Sequence, residues 1–207
     1  MLWLYVHFPS LQLDDLLNSA PEKQQQSIAI VNTQCNQVMQ LNAQARLEGI
    51  KPEMGIGAAS ALSEALLPVP YDEAGETILL KGYAQALYRH SADVAVYPPK
   101  GILFNVDKML RLYGGLEQYW QVLKQALEAF NVKYHVACGE TVHLAKTLAS
   151  YGITLITDDA NKQKAVLTPL PVAALMFPEK ITTKFIRVGI HTVGALLQLP
   201  LAELARR

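Results

Sequence analysis

The chain opens on a short apolar run at residues 2–8, closed by Pro9-Ser10, which is the pattern of a central strand. A helical turn over 14–17 and a polar loop over 20–26 follow. Residues 27–32 and 37–41 read as two strands about a turn at 33–36. Asn42 is placed to cap a short helix over 43–48 that Gly49 stops. Gly55-Ile56-Gly57 leads into a small-residue helix over 58–65, then an extended stretch, Leu-Leu-Pro-Val-Pro-Tyr. A long amphipathic helix is predicted over 73–90, with Ile78, Leu79, Tyr83, Leu87 and either Ala86 or His90 on its apolar face. Strands at 94–97 and 102–106 flank Pro98-Pro99-Lys100-Gly101, a turn that proline and glycine almost force. A second amphipathic helix over 116–130, a strand over 133–138, a third helix over 141–151 and a strand over 153–157 complete this part. The order predicts an α+β fold, a mixed sheet with helices on one face.

The pattern changes near Leu167. From there it reads as helix, tight turn at Gly189, helix, Pro200 and the start of another helix, a separate helical module. Its apolar positions, Ile186, Val188, Leu196, Leu197 and Leu199, are expected to be buried in an αα-hairpin. The chain ends in mid-helix at Arg206-Arg207 without a cap or glycine, so it reads as a piece of something longer.

Composition narrows the function classes. Hydrophobic residues make up 51% of the 207 and charged ones 17%, enough for a packed core. The 18 Lys+Arg balance 18 Asp+Glu, so a strongly basic polyanion binder is excluded and any nucleic-acid contact must come from a local patch. Cys35 and Cys138 stand far apart with no CxxC partner, which argues against a disulfide framework or thiolate zinc site. The apolar N-terminus lacks a basic flank and is interrupted by Pro9, so it reads as a buried strand rather than a membrane span. A reducing, cytoplasmic setting is expected.

Standard chemistry is nearly missing. Neither GxGxxG nor GxxxxGK[ST] is completed, and no GxSxG occurs. His7, His90, His135, His143 and His191 never fall at metal-ligand spacing. Two-metal phosphoryl transfer needs two or three carboxylates on adjacent strand ends. The nearest acids here are Asp14 and Asp15, read as a solvated first turn, and Asp107, read as a turn residue. Metal catalysis is not supported, and neither a metal nor another cofactor is expected. His7, alone on a buried strand, reads as a satisfied core histidine. In the C-terminal module Lys180, Lys184, Arg187, Arg206 and Arg207 supply local positive charge. They fit a clamp on a DNA backbone or the solvated face of an ordinary hairpin, and the residues alone leave both open.

Three stretches carry a resemblance: LWLYVHFPSLQLD at the start, YPPKGILFNV in the middle and FIRVGIHTVGALLQLPLAELARR at the end. Together with ACGETVHLAKTLASY, they make the chain similar to Y-family translesion DNA polymerases, and within them to the ImuB-type branch. The resemblance implies a palm at 1–10 and 67–165, fingers inserted at 11–66 and part of a helix-hairpin-helix-like thumb at 166–207. It also exposes departures. Where active members carry D-x-D in the first strand, this chain has His7 and Pro9. The S-L-D-E turn corresponds to Pro98, Pro99, Lys100 and Gly101, so both acids are replaced. Asn42-Ala43-Gln44-Ala45-Arg46 resembles the fingers motif N-Y-x-A-R, keeping the triphosphate-reaching Arg46 but placing Ala43 at the tyrosine. The lysine-proline pair expected after Ser150 is replaced by Tyr151-Gly152-Ile153, and the thumb hairpin G-V-G-K by Met176-Phe177-Pro178-Glu179.

The resemblance therefore implies a catalytically inactive, polymerase-like scaffold in DNA repair, translesion synthesis and SOS-type damage-induced mutagenesis. Its implied partners are primer-template DNA, weakly bound by this chain, and three proteins reached through regions outside it. Those are a RecA-like accessory protein, the sliding clamp and an error-prone replicative-type polymerase. A low-activity nucleotidyltransferase using displaced acids, and an interaction module without DNA binding, are the alternatives.

Overall fold

The computed structural model describes residues 1–200. β1 (Trp3–His7) lies inside a four-stranded antiparallel sheet, between β6 (Gly101–Asn105) and β7 (His135–Gly139), with β5 (Val94–Tyr97) beyond β6. Trp3 stands opposite Asn105 and Gly139, and His7 opposite Gly101 and His135. The C-terminal end of β1 and the N-terminal ends of β6 and β7 thus share one end of the sheet.

The central strands are largely apolar because both faces of the sheet are covered. Leu4, Val6, Phe8, Ile102, Phe104, Val136 and Cys138 face α4 (Glu73–Leu87) and α6 (Leu116–Glu128), which answer with Leu80, Leu87, Tyr119, Leu123 and Leu127. The alternate residues Tyr5, Leu103 and Ala137 face α7 (Val142–Ser150) through Ala145, Leu148 and Ala149. Helices on one face is therefore too narrow a description, since the period-two alternation supplies a second apolar face that α7 covers. The strand expected over 153–157 is reduced to a single bridge of Leu155 with Ala137 at the edge of β7.

A smaller sheet has the order β3 (Gln37–Leu41), β2 (Ile28–Asn32), β4 (Leu67–Pro70). β2 and β3 pair antiparallel and β4 runs parallel to β2. The Leu67 and Tyr71 amides donate to the Ser27 and Val31 carbonyls. Pro68 and Pro70 alternate with them on the outward edge, where a missing N–H costs nothing. The boundary expected at residue 67 falls inside this pairing, so the chain leaves the small sheet only after Pro70. Helices α2 (Ala43–Leu47) and α3 (Ile56–Leu62) close its core through Ala45 and Ala59, packed on Ala29, Val31, Val38 and Leu41.

α1 (Leu11–Ser19) joins the two sheets. Leu11 packs in the large core, and Leu13 packs with Ile28 and Ile30 of the small one. A buried polar network locks this joint. Glu76, fully enclosed on α4, accepts hydrogen bonds from the Gln12 amide at 3.1 Å, from the Gln40 side-chain amide and from the Tyr71 hydroxyl at 2.7 Å. Gln40 in turn accepts from the Leu13 amide at 3.0 Å. This network rotates the predicted face of α4, so that Glu76, Leu80, Ala84 and Leu87 point inward while Ile78 is exposed.

α5 (Asp107–Tyr113) and α8 (Ala160–Leu167) were not predicted. Asp107 is the first residue of α5 rather than a turn residue, and its carboxylate accepts from the Leu2 amide at 2.7 Å. Beyond α8 come a 3-10 turn (Val172–Leu175), α9 (Glu179–Arg187) and α10 (Val193–Leu197). Gly189 makes the expected tight turn, with φ of 84°. The hairpin core is Val172, Ile190 and Leu196 with Phe185, whereas Ile186, Val188 and Leu197 are exposed, contrary to expectation. The segment 168–176 packs on two sides: Leu170 and Ala174 join the core around Tyr5 and Leu103, and Val172 takes Ile190, Leu196 and Phe185. No described helix is long and apolar enough to cross a membrane.

Candidate functional site

The shared end of the large sheet opens into a cleft of about 370 Å³, lined by Tyr5, His7, Tyr97, Pro98, Pro99, Lys100, Lys146, Ser150 and Met176. β1 supplies Tyr5 and His7 from the face that also packs on α7, because residues two apart share a side. The Phe8 amide donates to the Lys100 carbonyl at 2.8 Å, pinning the 98–100 turn beside the end of β1. α7 adds Lys146 and Ser150, four residues apart and so on one face. Its start is fixed by Thr141, whose hydroxyl accepts from the Leu144 amide at 3.2 Å.

Within the cleft the rings of Tyr5 and Tyr97 meet edge to face at 6.1 Å between centroids. The Lys146 ammonium lies 5.5 Å from the centre of the Tyr97 ring, a cation–π arrangement that holds the charge at the cleft wall. Tyr5 is 2% exposed and lies across Gly101. A Cβ at residue 101 would come 1.8 Å from the phenol oxygen. The site therefore has no room for any side chain at 101 while Tyr5 stands.

Electrostatics follow from these neighbours. Burial, then the charges of Lys100, His135 and Lys146, lower His7 to about 4, so its imidazole is neutral at pH 7. His7 Nδ1 is buried without a hydrogen-bond partner, so the reading of a satisfied core histidine does not hold. Burial, helped by Tyr97, raises Tyr5 to about 12, which keeps its hydroxyl protonated and able to donate. Among the described residues no carboxylate lines the cleft. Among the described residues no group of three or more His, Cys, Asp and Glu is placed to hold a metal ion. Two ammonium groups beside a neutral imidazole and phenol donors attract anions and oppose divalent cations.

The candidate acids stand elsewhere. Asp14 is buried rather than solvated: its Oδ2 accepts from the Ser10 hydroxyl at 2.9 Å and from the Lys133 amide at 2.9 Å. Burial raises its pKa, opposed by those hydrogen bonds. Asp107 lies at the opposite end of β6.

Pro9 and Arg46 line a second cleft of about 380 Å³ between the two sheets, together with Ser10, Lys133 and His135. Asn42 aims Arg46 into it. The Asn42 side-chain oxygen accepts from the Ala45 and Ile28 amides at 3.0 and 3.2 Å, and its amide donates to the Gln26 carbonyl at 2.6 Å, which ties α2 to β2. His7 and His135, register partners on one face, separate the two clefts. Lys180, Lys184 and Arg187 are exposed along one face of α9, away from both clefts. Arg206 and Arg207 lie outside the described residues. Sequence reasoning missed Tyr5, Lys146, Lys133 and His135, whose roles come only from strand register and from the seating of α7.

Residues 12–150 match the impB/mucB/samB family. Over 159 residues the chain is 30% identical to Protein ImuB of Caulobacter vibrioides, in strain NA1000 / CB15N and in strain ATCC 19089 / CIP 103742 / CB 15. The match covers 77% of this chain and 35% of those proteins, so the chain spans about a third of the length of its curated relatives. The fold is similar to DinB from Sulfolobus solfataricus, with a TM-score of 0.77 and 16% identity, over 100% of this chain and 62% of that one. An insertion ternary complex of Dbh DNA polymerase gives a TM-score of 0.80 at 18% identity, over 100% and 63%. At these identities the likeness is one of fold.

Proposed function

Since the chain belongs to the impB/mucB/samB family and shares the Y-family DNA polymerase fold, we propose that it is a non-catalytic, polymerase-like scaffold of DNA damage tolerance. One observation carries this reading. Among the described residues, the cleft at the shared strand ends is lined by His7, Lys100 and Lys146 and by no carboxylate. Nucleotidyl transfer by two metals requires hard anionic oxygens there, both to hold the ions and to activate the attacking hydroxyl. An ammonium at Lys100 repels such ions. An acid cannot be restored at 101 without displacing Tyr5.

In this reading the large sheet and its helices act as a palm, the small sheet as fingers inserted after β1, and the segment from 166 as the beginning of a thumb. Arg46 and the exposed face of Lys180, Lys184 and Arg187 are remnants or modest carriers of DNA contact. A neutral chain makes that contact weak and dependent on salt. Recruitment of a RecA-like protein, a sliding clamp and an error-prone polymerase belongs, on this proposal, to regions of the full-length protein outside these residues. A cytoplasmic location fits the same reading.

Primer extension tests it. With primer-template DNA, all four deoxynucleotides and Mg²⁺ or Mn²⁺, the chain is expected to add no nucleotide under conditions where an active Y-family enzyme extends the primer. Extension that disappears on Asp14→Ala, Asp15→Ala or Asp107→Ala would replace the scaffold with a low-activity nucleotidyltransferase.

A further inference from the structure

We propose that the cleft formed by Tyr5, His7, Tyr97, Lys100, Lys146 and Ser150 is a phosphate-binding site that works without a divalent cation. The proposal shares its cleft with the reading above but is separately testable, because a chain that extends no primer can still bind or fail to bind phosphate.

The cleft carries unbalanced positive charge. Among the described residues the ion pairs are the N-terminus with Asp107, Lys108 with Asp93, and Lys124 with Glu128. Lys100 and Lys146 take part in none of them. Both are half-buried and both line a cavity of about 370 Å³, large enough for a phosphate group with part of its ester. Lys146 is held over the Tyr97 ring at 5.5 Å, so less freedom is lost when it meets an anion. Lys100 closes the 98–100 turn, and its own carbonyl accepts from the Phe8 amide at 2.8 Å.

Neutral donors complete the set. The Tyr5 hydroxyl and Ser150 line the same space and can donate to phosphate oxygens. His7 Nδ1, buried and without a partner, is a polar atom that the fold leaves unanswered. The groups facing His7 are Lys100 from the 98–100 turn, His135 from β7 and Lys146 from α7, with no acid among them. These surroundings give the lysine pair no counter-charge among the described residues, and an entering phosphate supplies one. In chemical terms, two ammonium groups supply the charge neutralisation that a metal ion would otherwise bring to a phosphate.

The shared ligand chemistry is a phosphate oxyanion, and its two sources are a terminal polyphosphate, as in a nucleotide, and a phosphodiester, as in single-stranded DNA. The experiment titrates the full chain, in EDTA at low salt, with inorganic tripolyphosphate in one arm and a fluorescent oligo-dT in the other. Binding in at least one arm is expected, reduced about tenfold or more by the double variant Lys100→Gln/Lys146→Gln and unchanged by Lys124→Gln. Should the double variant melt early, each single variant is expected to weaken binding severalfold. In the DNA arm the double variant should also flatten the dependence of log affinity on log salt by about 1.4, from roughly 0.7 per phosphate contact. Preference for tripolyphosphate assigns a nucleotide-like ligand, and preference for oligo-dT a DNA strand. The proposal is overturned if neither probe binds, if binding requires Mg²⁺, or if the cleft variants bind as the parent does.

Discussion

The contact between Tyr5 and Gly101 offers a quantitative test of how the cleft is built. A Cβ at 101 would stand 1.8 Å from the Tyr5 oxygen and 2.1 Å from Cζ, far inside ordinary van der Waals contact. Tyr5 is 2% exposed and packed with Leu103, Ala137 and the α7 side chains, so its ring cannot swing away without opening that core. Gly101→Ala should therefore cost about 3 kcal/mol, the upper part of the range for overpacking a filled core. Tyr5→Ala alone should cost about 3–5 kcal/mol, as other aromatic truncations do. In the Tyr5→Ala background the space is free. Gly101→Ala should then be neutral or stabilise by about 0.5 kcal/mol, because alanine loses less backbone freedom than glycine. The coupling is thus about 3 kcal/mol, readable from urea midpoints of the four proteins at constant m-value. Additivity within ~0.5 kcal/mol would refute the reasoning, since it would mean that the phenol does not occupy this space.

Glu76→Ala leaves the Gln40 amide and the Tyr71 hydroxyl buried without an acceptor, and should destabilise the chain by about 3 kcal/mol in urea melts, against about 1 for Glu76→Gln. A loss below ~1 kcal/mol for the alanine variant would show that the network does not lock the joint. His7 carries a pH dependence of known sign: lowered from 6.5 to about 4, it binds fewer protons folded than unfolded between those values. Stability from this group is therefore full above pH 6.5 and falls by up to about 3 kcal/mol as pH drops toward 4. His7→Asn should flatten that part of the curve of unfolding free energy against pH, and an unchanged slope would contradict the burial and cationic surroundings assigned to His7.

Much of the fold was legible because local and global signals agree. β1 and β6 are largely apolar since helices cover both faces of their sheet, and Asn42 and Gly49 mark helix ends through a cap and a left-handed turn. α8 was not legible. It has almost no apolar stripe and depends on the Asp159 cap and on Gln163, whose buried side chain accepts from the Glu140 amide and donates to the Thr157 carbonyl. α4 misled because its inward face carries Glu76, which burial only tolerates once Gln40 and Tyr71 arrive from distant segments. His7 and Lys100 could be picked out along the chain, but the cleft's second cation could not. Lys146 looks like an ordinary solvated lysine on an amphipathic helix, and only the packing of α7 beside β1 brings it over Tyr97.

The central claim, a cleft furnished with cations where metal-dependent transfer needs acids, is tested most directly by titrating the chain with Mn²⁺ and following free ion by electron paramagnetic resonance. The account predicts no stoichiometric tight site, and no change in the weak background on His7→Asn or Lys100→Gln. One or two tightly bound Mn²⁺ ions per chain, released by either substitution or by Asp14→Ala, would contradict it.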